Sequence, residues 1–241
     1  MMTQLVAVLA LIAGQTEQPS YLFKMESSPN GAIELRAERY RPQPGDIVLF
    51  NDHCPITAKV YQLAGTDGPV HAAIVVARPD GTLAILEART NPMLKSHVYD
   101  FETRLHEFDG TILVRRLRTP LTDEQKKALA DFAMAQDGKW YAYGRLALQA
   151  TPFRPRNTPF AQLFGGTVLD RESWICSELV VAAAAKAGVW PADTFQANVM
   201  YPRDLCYDER YDLSQYYDAP ALWSPRAQPE HVGKGVRVGR D

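Results

Sequence analysis

Three side chains place a reactive or ionisable group in an apolar segment where packing alone would choose something else. They are His71, which opens His71-Ala-Ala-Ile-Val-Val76; Glu87, near the end of Leu83-Ala-Ile-Leu-Glu-Ala88; and Cys176, in Trp174-Ile-Cys-Ser-Glu-Leu-Val180. A thiol, an imidazole and a carboxylate are the parts of a nucleophile, base and orienter arrangement. The cysteine is expected two or three residues into a helix, after Asp170-Arg171-Glu172-Ser173, which supplies N-cap side chains. Unpaired N–H groups and the helix dipole at such an end favour a thiolate and can form part of an oxyanion hole. Each residue also has a structural reading, because free cysteine is commonly a small buried hydrophobe and strand-end His and Glu commonly serve packing or solvent. It is the combination that points to thiol chemistry.

The elements that carry the trio follow from local signals. Pro42-Gln43-Pro44-Gly45-Asp46 breaks the chain before a buried strand, Ile47-Val48-Leu49-Phe50. Val70 to Ala77 and Thr82 to Ala88 flank Arg78-Pro79-Asp80-Gly81, strong turn chemistry for a β-hairpin. A three-residue loop with Gly81 left-handed pairs Arg78 with Thr82, hence Ala73 with Glu87 and His71 with Arg89. His71 and Glu87 then share a face as diagonal neighbours, about 7–8 Å apart at the backbone. A two- or four-residue loop would separate them.

Further along, Thr111 to Leu117 reads as a strand, and Thr122 with Gln125 forms a capping box for a helix to about Ala135. Residues 150–172 read as a surface loop, a lid over a site, and Trp174 to Ala187 as a buried helix ended by Gly188. Residues 20–42 and those beyond about 200 show no regular pattern. The fold class expected is α+β on an antiparallel sheet, divided as 1–18, an N-terminal signal peptide or hydrophobic segment; 19–225, a single catalytic domain; and 226–241, a loose tail.

Composition excludes several other classes. With 26 Lys+Arg against 28 Asp+Glu, a net charge of −2 and no long basic run, the chain is no nucleic-acid binder. Its 241 residues are 46% apolar, enough to bury a core. The longest apolar stretch, Leu5 to Gly14, is about half of a membrane span but has the outline of a secretory signal, so export is expected. The three cysteines, Cys54, Cys176 and Cys206, permit at most one bridge, and whether Cys54 and Cys206 pair is open. Neither has a helix start behind it. The remaining histidines, 53, 97, 106 and 231, lie in polar or loop-like surroundings, and no Cys/His spacing suits zinc.

The chain resembles the NlpC/P60 superfamily of papain-like thiol hydrolases in its circularly permuted branch, the YiiX/YaeF-like or C92-type proteins. The matching pieces are Pro44-Gly-Asp-Ile-Val-Leu-Phe50, His71-Ala-Ala-Ile-Val-Val76, Leu86-Glu87-Ala88, the Leu121-Thr122 helix start, Gly138-Lys-Trp-Tyr141 and Trp174-Ile-Cys-Ser-Glu-Leu-Val180. The resemblance implies a permuted papain-like fold, an antiparallel sheet or small barrel packed on helices. It also implies Cys176 as nucleophile, His71 as base and acid, and Glu87 as orienter. Two departures concern the substrate pocket. The segment between Phe50 and His71 is long, and Tyr141-Ala142-Tyr143 replaces the usual Tyr-Asp. Tyr141 is an oxyanion or supporting candidate, or equally a core aromatic.

The function expected is cysteine-dependent cleavage of an amide through a Cys176 acyl-enzyme, on a peptide or cell-wall fragment, with no metal or organic cofactor. The alternatives are a lipid acyl hydrolase or acyltransferase of the same fold, favoured by the Phe-bearing loop at 152–165, and a binding module without turnover.

Overall fold

The computed structural model describes residues 19–27, 33–90, 94–149, 151 and 169–227. The expected signal segment at 1–18, most of the 150–172 loop and nearly all of the 226–241 tail lie outside the described residues. In chain order the strands are β1 (Ser20–Ser27), β2 (Ile33–Tyr40), β3 (Ile47–Asn51), β4 (His71–Ala77), β5 (Leu83–Ala88), β6 (Ser96–Asp100), β7 (Thr111–Arg115), β8 (Trp140–Tyr141), β9 (Ser173–Trp174) and β10 (Ala221–Ser224). The helices are α1 (Pro55–Leu63), α2 (Phe101–His106), α3 (Asp123–Gln136), α4 (Tyr143–Gln149), α5 (Cys176–Lys186) and α6 (Pro202–Tyr207).

Eight strands form one antiparallel sheet in the order β2-β1-β10-β7-β3-β4-β5-β6, while β8 and β9 pair in parallel as a separate ribbon. The large sheet is open among the described residues, with β2 and β6 as its edges, so the small barrel is not formed. Both faces of its centre are covered, which is why β4 and β5 read as continuous apolar runs rather than alternating ones. Ile47, Leu49, Ala72, Ile74 and Leu86 pack under α3 and α5 residues such as Leu129, Leu179 and Ala183. The opposite face, with Val48, Phe50, Ala73, Val75 and Ile85, packs against Phe101 and Leu105 of α2.

The turn between β4 and β5 has the expected three-residue form. Gly81 N donates to Arg78 O, Arg78 N donates to Thr82 O, and Gly81 has φ +83°. The register follows, with Ala73 opposite Glu87. Two regions expected to be irregular are ordered instead. Residues 20–27 and 33–40 are the antiparallel pair β1 and β2, and β10, close to the end of the described chain, lies inside the sheet between β1 and β7. Four-residue β10 is too short to carry a legible period, and its place is set by its neighbours' backbone groups. The long segment before His71 contains α1, whose N-cap is Cys54, so that cysteine does stand at a helix start, and Cys206 lies within α6. All three cysteines are free, and Cys54 and Cys206 do not pair. No helix among the described residues is long and apolar enough to cross a membrane.

The Pro44-Gly45-Asp46 turn is pinned by a buried carboxylate. Asp46 Oδ2 accepts from Tyr40 Oη at 2.9 Å and from Gln43 N at 3.2 Å, while Oδ1 accepts from Leu117 N at 2.8 Å. Burial pushes this carboxyl up to about 6, against those hydrogen bonds, which pull it down. A raised folded-state value means that the folded protein binds the proton more tightly. The resulting stabilisation is complete below the ordinary value of 3.8 and is lost as pH rises through about 6. Urea denaturation across this range will show that loss, on the order of 2–3 kcal/mol, and Asp46→Asn will abolish the pH dependence over the same window.

Candidate active site

Glu87 brings the site together. Its side chain is fully buried, and both carboxylate oxygens are engaged. His71 Nε2 lies 2.7 Å from Oε2. From the other side Arg104 donates through Nε to Oε1 at 2.6 Å and through Nη2 to Oε2 at 3.2 Å, with Arg89 Nη1 3.7 Å from Oε1. Burial raises this carboxyl, but the His71 hydrogen bond and charge, with Arg104, outweigh it and hold the group at about 2.

Arg104 was not anticipated. It sits on α2, whose N-cap Asp100 accepts from Thr103 N at 2.9 Å and Thr103 Oγ1 at 2.8 Å. Phe101, Arg104 and Leu105 are the buried residues of that helix, so an arginine occupies a core-facing i, i+3 position. That spacing is the signal in the sequence that could have found it. The guanidinium also stacks 4.3 Å from the centroid of Phe50, whose ring lies 5.5 Å from that of His71. Phe50 thereby backs both partners of the carboxylate.

His71 shares the α2-covered face with Ala73 and Glu87, whereas α5 covers the opposite face. The imidazole and the cysteine meet nevertheless, because His71 is the first residue of β4 and Cys176 the first residue of α5. Past the strand's end the sheet no longer separates its two faces. Burial lowers the imidazole's affinity for a proton, but hydrogen bonds to the Cys176 side chain and to Glu87 reverse this and raise it to about 9. With Nε2 committed to Glu87, Nδ1 is the nitrogen left for the sulfur.

Cys176 therefore begins its helix rather than lying two or three residues inside it. The cap is Ile175, not a residue of 170–173, because Ser173 and Trp174 are drawn into β9 against β8. Trp174 Nε1 donates to Gln136 Oε1 at 3.0 Å, and Ile175 N reaches Glu178 Oε2 at 3.4 Å. Tyr141 is buried, its N–H donating to Leu94 O at 2.7 Å. Burial, then the charge of Cys176, pushes its hydroxyl well above its ordinary range, and the same two causes act on Tyr61 of α1. Tyr61 and Cys176 line one pocket, and Tyr61 was not among the residues expected at the site. His97 is not in a loop but on β6, opposite Glu87, and its Nδ1 lies 3.2 Å from Asp137 Oδ1 rather than on the carboxylate. Among the described residues no group of three or more His, Cys, Asp or Glu is placed to hold a metal ion.

Removing the orienting charge should release the imidazole. In Glu87→Gln the His71 titration, followed by NMR, is expected to fall from about 9 towards the ordinary 6.5. Arg104→Leu leaves the buried carboxylate without its principal fixed cation and should destabilise the protein by about 3–5 kcal/mol in urea denaturation. Glu87's own contribution is present above 4.5 and lost as pH falls through about 2, whereas that of His71 is present below 6.5 and lost as pH rises through about 9.

Comparison with curated proteins gives no match. A solved structure described as the metalloprotein yiiX from Escherichia coli O157:H7 matches with 22% identity and a TM-score of 0.44, over 63% of this chain and 69% of that one. Residues 41–148 match the model of a family described as permuted papain-like amidase enzymes, YaeF/YiiX, C92 family. That segment includes β3 to β7 and carries His71, Glu87 and Arg104, while Cys176 lies beyond it. Over the part of the chain that supplies the imidazole and its carboxylate, the protein is similar to the permuted papain-like amidases of the YaeF/YiiX, C92 family.

Proposed function

We propose that the protein hydrolyses an amide through a thioester on Cys176. The observation that carries this reading is the unbroken chain Cys176, His71, Glu87, Arg104, in which a buried carboxylate holds one ring nitrogen and leaves the other to the sulfur. The Cys176 thiol gives its proton to His71, and the sulfur attacks the carbonyl carbon. Collapse of the tetrahedral adduct breaks the C–N bond as His71 protonates the departing amine. Water, deprotonated by the same imidazole, then cleaves the thioester to a carboxylic acid and the free thiol. Because Arg104 neutralises Glu87 throughout, the imidazole can lose its proton without leaving a buried carboxylate unpaired.

The oxyanion would be met by first-turn N–H groups of α5, which have no intrahelical partner, and by the Tyr141 hydroxyl. The amidase likeness over residues 41–148 supports the reaction class. A peptide or cell-wall amide is the substrate type consistent with that likeness.

The test is intact-mass detection of iodoacetamide labelling at about pH 6, well below a free thiol's ~8.5. A Cys54→Ser background is needed, because Thr57 hydrogen bonds lower the half-buried Cys54 thiol, whereas burial pushes Cys206 up to about 12. Rapid single labelling is expected, absent in Cys176→Ala and at least about tenfold slower in His71→Ala. An inert Cys176 would sink the proposal. Tyr141→Phe, if the hydroxyl serves the oxyanion, should slow acylation by an activated ester about a hundredfold more than it slows alkylation.

A further inference from the structure

A second buried carboxylate stands beside the nucleophile, and the reaction as described makes no use of it. Glu178 lies in the first turn of α5, two residues after Cys176. Its Oε2 is 3.4 Å from Ile175 N and accepts from Arg145 Nη2 at 2.8 Å, while Oε1 has no hydrogen-bond partner among the described residues. The same Arg145 nitrogen donates to Ser173 O at 2.7 Å, and Nη1 donates to Ser173 Oγ at 3.3 Å. One guanidinium of α4 therefore holds the chain three residues before the sulfur and two residues after it. Ala142 N, donating to Trp174 O at 2.9 Å, ties the approach to α4 to the same segment.

Charge gives that clamp a chemical consequence. The titratable groups around the sulfur are His71 from β4, Tyr61 from α1, Tyr141 from β8 and Glu178 from its own helix. Tyr141 lies within reach of both Cys176 and Glu178, each of which pushes its hydroxyl up. A carboxylate removed from water and within one helical turn of the sulfur opposes formation of a thiolate. Two cations face Glu178: Arg145 in contact, and Arg171, from the segment before β9, at longer range. Burial pushes the Arg171 guanidinium below its ordinary range; the Glu178 charge opposes that, and the like charge of Arg145 adds to it. One carboxylate against two guanidiniums leaves the group positive. The pattern repeats that of Glu87, which has Arg104 in contact and Arg89 at 3.7 Å.

We propose that Arg145 is a positioning residue for the nucleophile: it fixes the first turn of α5 through Ser173 and Glu178, and it cancels the carboxylate charge that would otherwise oppose a thiolate on Cys176. This assignment rests on the thiol-hydrolase reading and extends it to the residues that prepare the sulfur. Arg145 takes no proton and touches no reacting atom; the thiol proton still goes to His71. Arg171 supports it by charge alone.

Iodoacetamide labelling of Cys176, followed by intact mass in the Cys54→Ser background at about pH 6 and about pH 9.5, separates charge from packing, because at the higher pH a thiol ionises without help. The Arg145 side chain is 35% exposed, so Arg145→Gln opens no core cavity. It should slow labelling at least about tenfold at the lower pH and no more than about twofold at the higher. Arg145→Lys, which keeps the cation, should retain most of the rate at the lower pH. Adding Glu178→Gln to Arg145→Gln removes the anion as well and should restore that rate to within about threefold of the background. A merely structural clamp predicts equal slowing at both pH values and a double variant at least as slow as the single one. That pattern, or an Arg145→Gln rate unchanged at the lower pH, would overturn the assignment while leaving the thiol reading standing. No labelling of Cys176 in the background protein would overturn both.

Discussion

A carboxylate with no exposed surface cannot stay charged without donors on both oxygens, and Glu87 is that carboxylate here. Its partners come from three separate pieces of chain: His71 from the start of β4, Arg104 from α2 and Arg89 from just beyond β5. Satisfying the charge therefore fixes how α2 lies on the sheet and which way the imidazole points. The division of labour matters for chemistry. Arg104, stacked on Phe50, is a permanent cation and keeps Glu87 negative, so the histidine is free to be the variable member of the group.

The sheet separates two packed layers, and the site exists because it lies where that separation ends. His71 faces the α2 layer, and Cys176 heads the principal helix of the other layer. Had the histidine been two residues further along β4, at Ala73, the strand itself would have stood between it and the sulfur. Its place at the first position of the strand is thus a geometric requirement. The same economy applies at the helix, where Cys176 occupies the first turn and has the unpaired N–H groups of that turn around it.

Residues 41–148, over which the likeness to permuted papain-like amidases extends, supply His71, Glu87 and Arg104. The sulfur arrives from the later half of the chain, anchored by Trp174 on Gln136 and by the β8–β9 ribbon that also places Tyr141. Helix α1 lies between β3 and β4 in the chain. It provides Tyr61, which lines a pocket together with Cys176.

Much of the trio's support was legible locally. Pro79-Asp80-Gly81 dictates a three-residue turn because Gly81 alone accepts the left-handed conformation there, and the register of β4 on β5, hence the shared face of His71 and Glu87, follows by counting. Thr122 and Gln125 form their capping box from residues three apart. What counting cannot reach is any relation set by packing across distant segments. Arg104 on Glu87, the first-turn position of Cys176, β10 in the middle of the sheet and Tyr61 beside the sulfur all depend on which layers meet. Short-range spacing determined the turn, the register and the candidate residues. Only the tertiary structure decided which buried charge is neutralised by which cation, because burial is a property of the assembled layers and not of any one stretch of sequence.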